Sequence, residues 1–229
     1  MRLFVAVAVP AEAADELEAA VAPLRDSWPG LRWTGRDAWH LTLAFLGEVN
    51  EAVCARLVPR LERAAARHPF LSLSLGGAGA FPGAARARVL WTGVQGERRA
   101  LGALAASVAA GARRAGAPPG EEGRRFQPHL TLARCRAPVD ARSLVTSLSG
   151  YAGTPWIAHE IYLIRSHPPN NRQPGTRLAE DGQEGQRSSQ DGSQQGDQHA
   201  RPRYETLGSW PLHVPAVPGA DPAVPATDQ

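Results

Sequence analysis

His40-Leu41-Thr42-Leu43-Ala44 is repeated, residue for residue, as His129-Leu130-Thr131-Leu132-Ala133. Side chains alternate along a strand, so in each copy the His and Thr share one face and the two Leu take the other. A single His-x-Thr on a strand is more often a hydrogen-bonded structural pair than a catalytic one. Duplication of a structural strand therefore remains an alternative, but the five-residue identity favours chemistry. Two such strands facing each other would gather two imidazoles and two hydroxyls in one groove. That set supplies an acid, a base and two neutral donors without a metal.

The rest of the chain bounds the setting. With 229 residues, 43% of them hydrophobic, it can bury one good core or two small lobes. No apolar run approaches the roughly 18–20 residues of a membrane-spanning helix. The apolar opening, Leu3 to Val9, is shorter than most signal-peptide cores and runs into Pro10 and a helical pattern. It reads as a first strand of a cytoplasmic protein. Cys54 and Cys135 lack ligand-like spacing and read as free, buried or partly buried thiols. The net charge is only +3, and every basic side chain is Arg, a residue suited to bidentate phosphate contacts.

In chain order, helical spacing covers residues 11–26, with Pro23 expected to kink or end the helix. A short strand is expected at Leu31–Thr34, then the first motif strand over 40–46, ended by Gly47. Asn50 is placed to cap a helix over 51–66 whose stripe is Val53, Leu57, Leu61 and Ala64. Phe70–Leu75 alternates as a strand, and the glycine-rich 76–83 reads as a long flexible turn, not a phosphate loop. Arg88–Val94 is a strand. Residues 97–115 form a helix closed by Gly116, with Leu101, Leu104, Val108 and Ala112 inward. The second motif strand covers 129–134, Asp140 caps a short helix through Leu148, and Trp156–Arg165 and Arg203–Val214 are strands. Residues 170–201, rich in Gln, Gly, Ser, Asp and Arg, read as a disordered insertion, and 215–229 as a disordered tail. The expected domain is thus one unit over 1–214. Elements alternate in two similar rounds, which predicts an α+β fold: two largely antiparallel sheets with helices outside and a groove at the pseudo-dyad.

The other five histidines lack metal-ligand spacing, so no metal site is expected. The repeat breaks symmetry five residues past each His, at Phe45 and Arg134. Core packing and surface charge are their ordinary readings. An aromatic face for a base and a guanidinium for a phosphate are the functional ones. Strict alternation puts both on the face away from the His, so a bulge would have to turn them round.

His40-x-Thr42-Leu43-x-Phe45-Leu46-Gly47 and Pro128-His129-x-Thr131-Leu132-Ala133-Arg134 resemble the paired motifs of the 2H phosphoesterase superfamily. The flanking text looks like its RNA 2′,3′-cyclic phosphodiesterase branch, once named 2′-5′ RNA ligases. Arg2-Leu3-Phe4-Val5-Ala6-Val7, Val89-Leu90-Trp91-x-Gly93-Val94, Leu163-x-x-Ser166 and Tyr204-Glu205-x-Leu207 all fit, and the likeness covers nearly all of 1–214. Similar proteins join Ser166 to Tyr204 by a much shorter loop. The resemblance implies a bilobal fold whose motif strands line a central cleft. It also implies hydrolysis of an RNA terminal 2′,3′-cyclic phosphate to a 2′-phosphate, with no metal or nucleotide cofactor. His40 and His129 would be catalytic, with His40 leaning to acid and His129 to base. Thr42, Thr131, Arg134 and Phe45 would bind substrate. Arg124 and Arg125 read as a solvated pair, with RNA phosphates as the other reading. The expected partner is RNA with a cyclic phosphate end, or a cyclic nucleotide, met by a monomer away from any membrane. Two alternatives stay open: 2′-5′ ligation in the same groove, and a non-catalytic RNA-end binding module.

Overall fold

The computed structural model describes residues 1–120, 126–167 and 203–213. The elements run β1 (Arg2–Ala8), α1 (Ala11–Ser27), β2 (Arg32–Trp33), β3 (His40–Glu48), α2 (Glu51–Ala65), β4 (Leu71–Phe81), β5 (Ala87–Gly96), α3 (Arg98–Ala115), β6 (His129–Val139), α4 (Arg142–Leu148), β7 (Trp156–Ala158), β8 (Glu160–His167) and β9 (Arg203–Pro211). They form a four-stranded sheet in the order β3-β1-β8-β9 and a five-stranded sheet in the order β2-β6-β5-β4-β7. Every ladder between these strands is antiparallel. The fold is the expected α+β arrangement.

Alternation decides which face of each sheet is buried. In β1, Leu3, Val5 and Val7 enter the main core, joined by Leu41 and Leu43 of β3. In the second sheet Leu71, Leu73, Leu75, Leu90, Leu130 and Leu132 do the same. The helices cover these apolar faces: α2 and α3 pack on each other, α3 on β3 and β4, and α1 and α4 on β4. The stripes foreseen on α3 are buried in full, and on α2 all but Val53, which is partly buried. Asn50 caps α2 by accepting from the Val53 N–H at 2.9 Å. Gly116 closes α3 at φ 91°, the left-handed conformation glycine adopts without penalty.

Three expectations need correction. The glycine-rich stretch after Leu75 is not a flexible turn, because β4 continues through it to Phe81. Gly77 makes a bulge at φ 65°, and its carbonyl accepts from the buried Thr92 hydroxyl at 2.7 Å. Glycine there serves close approach within a sheet, which composition alone mistakes for flexibility. The apolar run from Trp156 is two strands: β7 pairs with β4 and β8 with β1, so the chain changes sheets at His159. Gly47 does not end β3; it takes φ 66° beside a register shift, and pairing continues to Glu48.

The two sheets meet along the motif strands, where β3 and β6 approach each other. The connection from β2 helps fix that meeting. Arg32 and Trp33 pair with Arg134 and Ala133, and the Thr34 N–H donates to the Leu132 carbonyl at 2.8 Å. A 3-10 turn at Arg36–Ala38 then delivers the chain into β3 at the edge of the other sheet. The expected insertion at 170–201, the tail at 215–229, and Arg124 and Arg125 lie outside the described residues.

Candidate active site

Both motif copies fold alike, down to one irregularity. In the first, Ala8 pairs with His40, Ala6 with Thr42 and Val5 with Ala44, which leaves Leu43 as an extra residue. In the second, Gly93 pairs with His129, Trp91 with Thr131 and Leu90 with Ala133, which leaves Leu132 extra. A bulge therefore sits between Thr and Ala in each copy, and it resets the alternation. Leu43 and Ala44 are buried in succession, as are Leu132 and Ala133, and the next residue faces outward. That next residue is Phe45 in one half and Arg134 in the other. The bulge required to bring them round to the His face is present in both.

Each imidazole is held by a carbonyl two residues upstream. The Gln127 carbonyl lies 2.8 Å from His129 Nδ1. A carbonyl only accepts, so Nδ1 carries the proton and Nε2 is the nitrogen that can exchange one. A backbone hydrogen bond to Ala38 likewise holds the His40 ring.

Their surroundings differ. His40 stacks on Phe4 at 4.7 Å between centroids and meets Tyr204 edge-on at 5.4 Å. Phe4 also touches Phe45 at 5.9 Å and Tyr204 at 5.4 Å. Burial in this aromatic nest pushes His40 down to about 4, helped by the positive charge of Arg134 and His129, while the Ala38 carbonyl opposes the shift. His40 is thus neutral at neutral pH. That its proton is sensitive to Arg134 and His129 also joins the two halves into one electrostatic site. Burial raises the Tyr204 hydroxyl, Arg134 and Arg2 lower it, and Asp37 raises it.

On the other side, His129 meets Phe81 edge-on at 5.0 Å and lies 6.2 Å from Trp91. Trp91 lies across Gly79: a Cβ at that glycine would fall 2.2 Å from the indole. Its Nε1–H is buried with no hydrogen-bond partner, a cost of about 1–3 kcal/mol that packing must offset.

Thr42 and Thr131 sit two residues beyond their His, each partly buried on the same face. All six residues expected from the sequence lie on β3 and β6, the strands that approach each other at the junction of the sheets. The sequence reading missed Phe4, Tyr204, Phe81 and Trp91 as site residues. Phe4, Trp91 and Tyr204 lay in quoted motifs, but their contact with the histidines depends on register. Phe81 was hidden by the misread turn.

Three other histidines have partners outside the motif strands. His68 bonds the Ser107 hydroxyl at 2.8 Å, His159 packs on Phe70, and His167 pairs with Glu205 at 2.9 Å. Cys54 and Cys135 are free and partly buried. Among the described residues no three His, Cys, Asp or Glu side chains are grouped so as to hold a metal ion, and no helix is long and apolar enough to cross a membrane.

The chain matches the family model described as the 2′-5′ RNA ligase superfamily over residues 13–170. An RNA 2′,3′-cyclic phosphodiesterase of Geobacillus stearothermophilus is 32% identical over 167 residues, covering 72% of this chain and 52% of the relative. One from Archaeoglobus fulgidus is 36% identical, covering 59% of this chain and 73% of the relative. One from Escherichia coli is 35% identical, covering 63% and 75%. The chain thus spans only about half the length of the Geobacillus relative. Among solved structures, E. coli LigT in apo form superposes with a TM-score of 0.63 at 26% identity, covering 93% of this chain and 97% of that one. LigT complexed with 3′-AMP gives 0.60 at 27% identity, covering 92% and 96%.

Proposed function

Because the chain belongs to the 2′-5′ RNA ligase superfamily, we propose that it hydrolyses the 2′,3′-cyclic phosphate at the end of an RNA to a 2′-phosphate, without a metal. The observation that carries this reading is the identical bulge in the two His-Leu-Thr-Leu-Ala strands. It gives each half an imidazole, a hydroxyl and one further outward side chain at matched heights.

The reaction opens a strained diester by in-line displacement. Water must lose a proton as it reaches phosphorus, and the 3′-oxygen must gain one as it leaves on the opposite side. His129 is the base: its Nε2 takes the water proton while the Gln127 carbonyl holds Nδ1–H. His40 is the acid that protonates the 3′-oxygen. It begins neutral in the empty cleft, disfavoured as a cation by burial and by Arg134. A bound phosphate anion offsets that repulsion and favours the imidazolium, so His40 takes up a proton from solvent as substrate binds. An acid of lowered pKa then gives the proton up readily. Thr42, Thr131 and Arg134 hold the non-bridging oxygens, where donors fixed in advance stabilise shifting charge most. Phe45 offers its exposed ring to a base of the RNA.

On this reading the partner is an RNA end, or a cyclic nucleotide, met by a monomer of one domain over residues 1–214. The deciding experiment is product analysis on an oligonucleotide ending in a 2′,3′-cyclic phosphate, in excess EDTA. A 2′-phosphate end is expected. A 3′-phosphate end, 2′-5′ joined strands as the main product, or binding without turnover would each replace this reading.

A further inference from the structure

The pseudo-symmetry that repeats the motif strand also repeats what lies beside it. β1 and β5 are the partners of the two motif strands, and each leads into a helix, α1 or α3. In the first half a cavity of about 660 Å³ is walled by Val9 at the end of β1, by α1, and by Gly35 to Asp37 ahead of His40. In the second a cavity of about 920 Å³ is walled by Gly96 at the end of β5, by α3, and by Phe126 to Pro128 ahead of His129. Each histidine thus has a cavity beside its entry segment. The residue that bonds its ring, Ala38 or Gln127, lies in that segment or next to it.

The two cavities differ in charge. Around the first, Arg25 donates to both carboxylate oxygens of Glu18 at 2.7 and 2.8 Å, Arg36 is paired with Asp15, and Asp37 adds a further carboxylate. Its cations are already matched. Around the second stand Arg98 and Arg99, both exposed. Among the described residues, neither guanidinium has an ion-pair partner. The Glu97 carboxylate in the same wall is turned to the β4 backbone, where it accepts from the Ser72 N–H at 2.6 Å. Phe126, packed on the main core, supplies an apolar side to the cavity.

Unpaired arginines in a concave wall present forked donors that match the paired oxygens of a phosphate. Arg134, on β6 beyond Thr131, is the guanidinium assigned to the reacting phosphate. Arg98 and Arg99 lie on the other side of His129, so they suit a different one.

We propose that the cavity ahead of His129 binds backbone phosphates of the RNA just upstream of the nucleotide that carries the cyclic phosphate, with Arg98 and Arg99 as donors. This rests on the RNA-end reading above and adds the path of the strand. The matching cavity ahead of His40 offers a polyanion nothing, because its arginines are neutralised within the protein. Contacts of this kind hold and orient a strand without reading its sequence. They act on chain length, and a mononucleotide does not reach them.

The test compares adenosine 2′,3′-cyclic phosphate with a tetranucleotide that ends in the same group. In the double variant Arg98→Gln, Arg99→Gln, KM for the tetranucleotide should rise about tenfold at low salt. The slope of log affinity against log salt should flatten by about 0.7 for each arginine removed. The kcat on the tetranucleotide, and both constants on the mononucleotide, should stay as in the intact chain. A control variant, Arg63→Gln with Arg67→Gln, removes the same charge from exposed positions on α2 and just past it, and should bind the tetranucleotide like the intact chain. An equal loss in the control would reduce the effect to net charge and overturn the inference. So would an equal change on the mononucleotide, or a tetranucleotide indifferent to Arg98 and Arg99. If the intact protein turns over neither compound, the hydrolytic reading is what fails. Equilibrium binding of the tetranucleotide to the intact chain and to the two double variants then decides the phosphate site on its own.

Discussion

Phe45 and Arg134 occupy one position in two copies of the same strand, and each reaches the histidine face through a bulge at the preceding leucine. Phe45 pairs with Phe4 and is 44% exposed, while Arg134 pairs with Val89 and with Arg32. On the proposed reading, symmetry of backbone with asymmetry of side chain would let one groove offer a ring to one end of a nucleotide and a cation to the other.

The two histidines are separable by the leaving group. His40→Ala and His129→Ala should each lose about 10²–10⁴ in rate on the oxygen substrate while keeping the fold. With sulfur in place of the 3′-oxygen the leaving thiolate needs no proton. His40→Ala should then recover most of its rate and His129→Ala should not. Recovery of the opposite variant would exchange the acid and base roles. Near-normal turnover in either folded variant on the oxygen substrate would end the two-histidine mechanism.

Arg134→Gln should act on both the phosphate and His40. Loss of a preorganised donor costs about 10² in kcat. Because Arg134 is among the charges that hold His40 down, its removal should move the His40 titration upward, though still below the ordinary value because burial is the larger cause. Titration of the His40 ring by NMR in the two proteins is the measurement. An unmoved titration would mean that the guanidinium does not reach the cleft.

Much of this was legible in the sequence because the site is built from short-range pattern. The His and Thr of each copy share a face by strand alternation alone, and the helices follow from Asn50, Gly116 and the stripe ending at Ala112. What could not be read depends on long-range register. The bulges at Leu43 and Leu132 arise only when β1 and β5 are laid alongside, and the passage between sheets at His159 leaves the apolar run uninterrupted. Gly76 to Phe81 shows the limit most clearly. Glycine is written the same way whether it loosens a turn or makes room for an indole, and only the position of Trp91 tells which.

Stability should record the buried His40. Its value falls from 6.5 to about 4 on folding, so between those values the unfolded chain binds the proton and the folded chain does not. Folding is therefore undiminished by this group above about 6.5, weakens as pH falls towards 4, and levels off below. The full loss is about 3 kcal/mol at most. Urea unfolding at pH 7.5 and pH 4.5 should show a smaller difference in His40→Gln than in the unaltered chain. An equal pH dependence in both proteins would count against a buried, neutral His40.

The segment between β8 and β9 should be dispensable for the chemistry. His167 and Arg203 are direct register partners, as are Ser166 and Tyr204, so the two strand ends already lie side by side. Antiparallel neighbours at that spacing close with a turn of a few residues. Replacing residues 170–201 by a short Gly/Ser turn should leave the hairpin, and with it Tyr204 against His40, in place. Turnover of a cyclic mononucleotide should then be retained. The removed stretch carries Arg172, Arg177, Arg187 and Arg201. If these meet RNA phosphates, the shortened protein should bind a longer oligonucleotide less tightly and with a shallower dependence on salt. The paired measurement is turnover on the mononucleotide and affinity for the oligonucleotide, each at low and high salt. Collapse of mononucleotide turnover in a shortened protein that melts like the original would place part of the active site in residues 170–201.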